Sequence, residues 1–260
     1  MINLSNRSIE LLKTDNTKWY KWYVLGERED EFQTYFALGA TFASCMESRA
    51  KTGDYNLDWN AQRMKMEFIN NEKLEEYDKY LVQLHELIGN AKIAITEKPV
   101  EAEKQIVVPI NSEYSLKVKM DADYGDRLLD HKTVTAFTKE EEKIKYKQQA
   151  DLYQYAEYKF YDKKKPIDFV EIKKWKPSLP TKKDDLLAML EWEYKDKAIE
   201  EKWTVDAIKQ HLYLHTTKEQ VSNTITFERE DSIVERVETL LRKAILKADY
   251  LKSLDINDIL

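Results

Sequence analysis

The chain has 260 residues, 42% of them hydrophobic and 12% aromatic, enough to bury a sizeable core in one large unit spanning 1–260. A net charge of −6 argues against a protein that passively coats nucleic acid, although local patches decide phosphate binding. The single Cys45 excludes an internal disulfide and any cysteine-built zinc or iron–sulfur cage. No apolar run is long enough to span a membrane, and the N-terminus lacks the charged-then-apolar order of a signal peptide, so a soluble, cytoplasmic protein is expected.

The first part, 1–95, reads as mainly helical. One helical segment ends at Gly26, a second runs from Glu31 to a stop at Gly53, and a third from Trp59 to Leu87 closes at Gly89-Asn90. Between Pro99 and Val134 the texture changes to three strands, with turns at Asn111-Ser112 and Tyr124-Gly125-Asp126. A helix over Lys139–Tyr161 and a strand "IDFVEIKKW" complete a core of 96–175. The remainder, 176–260, is mainly helical, with a short strand "NTITFERE" and a final helix from Asp231 to Leu251. That helix carries an apolar stripe at Ile233, Val237, Leu240, Leu241 and Ile245, which directs it back onto the body. The order predicts an α/β fold: a mixed sheet flanked by helices, with the three-stranded meander at its centre.

The chemistry concentrates in "MDADYGDRLLDHKTV". Period-2 alternation puts Leu116, Val118 and Met120 on one face of the first strand, and Lys117, Lys119, Asp121 and Asp123 on the other. On the next strand Leu128, Asp130 and Lys132 share a face. Hairpin pairing brings Asp121 close to Asp130, with Lys132 two residues further along. Two carboxylates and an amine suit a divalent cation, which needs few carboxylate oxygens and keeps waters for chemistry. The triplet alone is unspecific, because acid-any-lysine recurs at Glu141–Lys143, Glu157–Lys159, Glu171–Lys173 and Glu193–Lys195.

Taken with its neighbours, "VKMDADYGDRLLDHKTV" resembles the core of the PD-(D/E)XK nuclease superfamily, in particular its RecB-like, phage-type exonuclease branch. That branch shows an aspartate ending one strand, Asp-any-Lys-Thr on the next, and Gln-any-any-any-Tyr on a following helix. Here these are Asp121, then Asp130-His131-Lys132-Thr133, then Gln149 and Tyr153. An upstream helix matches in part: Glu47 stands at the family's glutamate, while Ala43 replaces its histidine, and Val118 replaces a glycine before the first aspartate. The resemblance covers roughly 30–175. It implies a restriction-endonuclease-like fold with helical N- and C-terminal additions. It also implies a site in which Asp121, Asp130, Glu47 and the carbonyl of His131 hold Mg²⁺ or Mn²⁺. Lys132 would orient the attacking water, with Gln149 and Tyr153 in support. The implied activity is a DNA exonuclease of phage or bacterial recombination, acting on duplex ends. Its implied partners are a strand-annealing protein and, in a homo-oligomer, further copies of itself. An endonuclease with the same site and a catalytically silent DNA- or protein-binding module are the alternatives.

Other motifs are weaker. Gln149 falls on an otherwise apolar stripe with Leu152, Tyr153, Ala156 and Phe160, where a hydrogen-bonded core amide is an equal reading. His211 and His215 have helical metal-ligand spacing but no adjoining acid. Lys173, Lys174, Lys176, Lys182 and Lys183 surround Trp175, a pattern that serves either a DNA strand or a solvated loop.

Overall fold

The computed structural model describes residues 1–28, 32–176 and 178–254. Glu31, where the second helical segment was expected to begin, and Pro177 of the basic stretch lie outside them.

Among the described residues, six strands form a single mixed sheet: β1 (Ile2–Leu4), β2 (Glu101–Pro109), β3 (Tyr114–Asp123), β4 (Leu128–Val134), β5 (Ile167–Lys173) and β6 (Ser222–Phe227). The path runs β1-β3-β4-β5-β6, with β2 on the other side of β3. The β1–β3 and β4–β5 pairs are parallel and the rest antiparallel. Strand β1 was not expected. It is only three residues long, below what alternation can reveal, and it pairs with the first residues of β3. The meander is therefore not centred: β3 and β4 are interior, while β2 pairs only with β3 among the described residues.

Each face of the sheet carries helices. One layer comprises α1 (Asn6–Thr14), α2 (Asn16–Tyr20), α6 (Lys147–Tyr161) and α11 (Ile233–Ser253), packed on Leu116, Val118, Met120, Leu128, Ile167 and Phe169. The other comprises α3 (Thr34–Thr52), α4 (Leu57–Asn70) and α5 (Leu74–Ala94), packed on Ala122, Leu129, Val170 and Ile172. Apolar residues at alternate strand positions feed both cores, so neither face is left to solvent.

Four helical expectations are corrected. The segment read as one helix from Trp59 breaks into α4 and α5 at Asn71–Lys73, where Glu72 adopts a left-handed φ of 56°. Helix α5 then passes through Gly89-Asn90 to Ala94, because tertiary packing of Leu84, Leu87, Ile88 and Ala91 outweighs a weak stop signal. The Lys139–Tyr161 segment begins as a 3-10 helix at Glu140–Tyr146 before α6. Phe160 also leaves the expected apolar stripe and is exposed, since α6 is buried through its middle turns and emerges at its C-terminal end.

Between β5 and β6 a helical insertion, α7 (Lys183–Met189), α8 (Trp192–Glu200) and α9 (Val205–Leu214), closes on its own small core of Leu186, Leu190, Ala198 and Ile208. The four-residue α10 (Lys218–Val221) leads into β6.

Candidate active site

Strands β3 and β4 leave their turn as an ordinary hairpin, pairing Asp123 with Leu128 and Ala122 with Leu129, and then separate. The next position along would set Asp121 opposite Asp130. Instead, the Asp121 carboxylate accepts the backbone N–H of His131 at 2.7 Å, taking the place of a ladder carbonyl. The sheet forks at these two aspartates. Beyond the fork β4 pairs, among the described residues, with β5 alone, while the start of β3 lies between β1 and β2.

Strand β3 also twists here. Met120 joins the α6-side core and Ala122 the α3-side core, so the alternation slips between them. The slip lies opposite Glu103, between the pairs Ala102–Ala122 and Lys104–Met120, and Glu103 holds a left-handed φ of 54°. This overturns the expectation that Asp121 and Asp123 share a face. Asp121 lines a small pocket beside α3 with Ala43, Glu47 and His131, whereas Asp123 turns toward α6.

Asp130 is buried and held from α6 and from its own strand. Tyr153 Oη donates to its Oδ2 at 3.1 Å and Gln149 Nε2 at 3.3 Å, and Gln149 also donates to the Tyr153 oxygen at 2.6 Å. The Gln149–Tyr153 spacing of one helical turn makes this possible. Lys132 Nζ lies 2.5 Å from Asp130 Oδ1 as an ion pair without the alignment of a hydrogen bond.

The two carboxylates are electrostatically unlike. Burial and the charge of Asp121 push Asp130 up to about 6, against the opposing pull of Lys132 and Tyr153. Asp121 also suffers from burial, but the His131 contacts and the charge of Lys132 outweigh it and hold its pKa below the ordinary value. Burial and the Asp130 charge raise Tyr153 well above its usual range, so its hydroxyl keeps the proton that it donates.

The remaining candidates stand further out. The His131 imidazole packs edge-on against Phe42 of α3, with Nδ1 3.3 Å from Asp121 and both ring nitrogens buried without a hydrogen-bond partner. Glu47 lines the same pocket, but its carboxylate is ion-paired with Lys51 one turn along α3. Among the described residues, no three His, Cys, Asp or Glu side chains are grouped closely enough to cage a metal. The donor set at the fork is two carboxylates and main-chain carbonyls. It fits a hard cation that retains much of its water, with Asp130 Oδ1 facing the Lys132 ammonium and Asp121 partly exposed.

Sequence reasoning missed a second group of charges. Asp123, Lys104 of β2, Lys165 before β5 and Glu157 of α6 form a sealed cluster. Lys104 reaches Asp123 at 2.5 Å and Glu157 at 2.9 Å; Lys165 reaches them at 2.7 and 3.1 Å. The available signal was Glu157 one turn after Tyr153 on a buried helix. Also missed was Glu171, fully buried on β5 and bound by Thr138, Tyr146 and Asn223. Elsewhere, His211 packs tilted against Tyr194, Trp203 and His215, and His215 against Tyr194, at centroid separations of 4.3–5.4 Å. Burial lifts the Cys45 thiol to about 11, which removes it as a nucleophile.

No family model matches the chain, and no curated protein matches it. Its fold is nevertheless shared with a solved structure, that of a candidate exonuclease from Eubacterium rectale, at a TM-score of 0.52 and 11% identity. The match covers 99% of this chain and 82% of that one. The class this defines is an α/β protein with a forked mixed sheet between two helical layers. Among the described residues, no helix is long and apolar enough to cross a membrane.

Proposed function

We propose that the protein is a divalent-cation-dependent deoxyribonuclease of the PD-(D/E)XK type, acting as an exonuclease on DNA ends. The observation that carries this reading is the fork, which puts Asp121 and Asp130 on diverging strands with Lys132 against Asp130. The exonuclease name of the structural neighbour supports the same direction.

In this reading Asp121, Asp130, the His131 carbonyl and, through solvent, Glu47 hold Mg²⁺ or Mn²⁺, which supplies Lewis-acid stabilisation of the phosphate when bound. The protein's own part is positional and electrostatic. Gln149 and Tyr153 fix the Asp130 carboxylate through Oδ2, which leaves Oδ1 turned to the Lys132 ammonium. Lys132 is about a quarter exposed, placed to orient an attacking water and to offset negative charge developing on the phosphate. Asp121 is held ionised by the His131 contacts and the charge of Lys132, the state in which a carboxylate binds a cation.

The test is digestion of linear and covalently closed circular DNA with Mg²⁺ by wild type and Lys132→Ala. Loss of linear DNA with survival of the circle, only in the wild type, is the expected result. Cutting of the circle moves the reading to an endonuclease. Equal digestion by both proteins removes Lys132 from the site, and no digestion by the wild type leaves a binding module.

A further inference from the structure

A cleft of about 530 Å³ lies between the C-terminal end of α5 and helix α9 of the insertion, lined by Asn90, Ile93, Lys176, Lys209, Tyr213 and Leu214, among others. It opens where β5 leaves the sheet. Lys132 pairs with Glu171, and Lys174 still donates its N–H to Val134 of β4, so the chain from Glu171 to Lys176 runs outward beside the catalytic strand. The five steps from Glu171 to Lys176 span at most roughly 16 Å at about 3.3 Å per residue. Asn90 pins the path by donating its side-chain amide to the carbonyls of Lys173 and Trp175 at 2.8 and 3.2 Å.

The path is cationic and aromatic. Among the described residues, Lys176 pairs with Glu86 at 3.5 Å and Asp206 lies on the cleft wall, while Lys173 Nζ sits 4.4 Å from the Phe137 ring and Lys174 and Lys209 have no ion pair. Trp175 is exposed, and the Tyr213 ring sits 5.2 Å from Lys176 Nζ. Ammonium groups track a phosphate backbone, and exposed rings offer π-faces to bases regardless of sequence. A cleft of this volume takes about one or two nucleotides and has no room for a duplex.

We propose that the Lys173–Lys176 run and the α5–α9 cleft bind a single DNA strand that extends from the Asp121–Asp130 site. This rests on the phosphodiesterase reading, deepening it from chemistry to strand handling. The insertion then acts as a strand guide, and the Lys173–Lys176 part of the basic stretch, which sequence left open between a DNA strand and a solvated loop, is the guide's entrance.

The experiment uses the full chain in EDTA, with fluorescence anisotropy of a labelled 12-nucleotide single strand and of the matching blunt duplex. Tyr213→Ala is expected to weaken single-strand binding by roughly 5- to 50-fold. Lys209→Gln is expected to lower the salt slope of log K by about 0.7, and on a half-exposed side chain it keeps the test open if Tyr213→Ala unfolds. Duplex binding and Mn²⁺-supported hydrolysis of bis(4-nitrophenyl) phosphate are expected to stay within about twofold of wild type, since neither needs the cleft. Unchanged single-strand affinity in both variants overturns the proposal, as does an equal loss for strand and duplex. If the variants lose single-strand binding while the wild type hydrolyses no phosphodiester, the guide stands and the nuclease reading falls.

Discussion

Two charge clusters sit two residues apart on β3, and they are built to opposite ends. Around Asp123 two lysines meet two acids, the charges balance, and all four side chains are sealed. Around Asp121 two acids meet one lysine, the balance is negative, and Asp121 and Lys132 reach solvent. A balanced sealed cluster has satisfied its own electrostatics and holds α6 to β2 and β3. An unbalanced, open one retains an unmet demand for positive charge, the condition for binding a cation.

The comparison breaks most sharply at Lys132. Lys132→Ala is expected to lower phosphodiester hydrolysis by roughly 10²–10³-fold while the urea midpoint stays near wild type. In the other cluster the roles reverse. Glu157→Gln leaves two buried ammonium groups facing one carboxylate, and urea denaturation is expected to show a loss of about 3–5 kcal/mol. A large activity loss in Glu157→Gln at temperatures where it remains folded would erase the distinction between the clusters. A smaller effect is expected for Gln149→Ala, about 10- to 100-fold in kcat with little change in KM, because it holds Asp130 rather than touching the substrate.

The smallest and most diagnostic contrast is in pH. The pKa of Asp130 is raised to about 6 by burial and Asp121, so the folded protein holds that proton more tightly than the unfolded chain. Its contribution to stability in EDTA is therefore favourable at low pH and is lost as pH rises from about 3.8 through 6. For Asp123, burial is outweighed by Lys104, Lys165 and the Gly125 N–H, and the pKa is lowered. Its stabilisation is present above the ordinary carboxylate value and is lost as pH falls through the folded value. Melting curves from pH 3.5 to 8 should show Asp130→Asn gaining on wild type as pH rises, by about a few degrees, and Asp123→Asn falling behind it. Parallel curves for the two variants would mean that the clusters do not differ.

Much of the candidate site's local geometry was legible because its residues are close in sequence and spaced by the periods of strand and helix. Asp130 and Lys132 share a face at spacing two, and Gln149 and Tyr153 at spacing four. The fork itself was not legible. Alternation puts Asp123 with Asp121, and only the slip opposite Glu103 sends the two to different sides. The sealed lysines were equally hidden, since Lys104 and Lys165 look like surface residues until β2 and the β5 approach bring them to one acid pair.

By itself, then, the order of residues determined the mixed α/β class and which side chains share a strand or helix face, since those rest on local periodicity. The grouping of Asp121, Asp130 and Lys132 with Gln149 and Tyr153 as a candidate site came from the resemblance to a known family. The tertiary structure decided which acids are balanced and which are not, and that β5 leads from Lys132 to a cleft against α5. Those depend on side chains dozens of residues apart, whose burial and pairing exist only once the sheet and its two helical layers have closed.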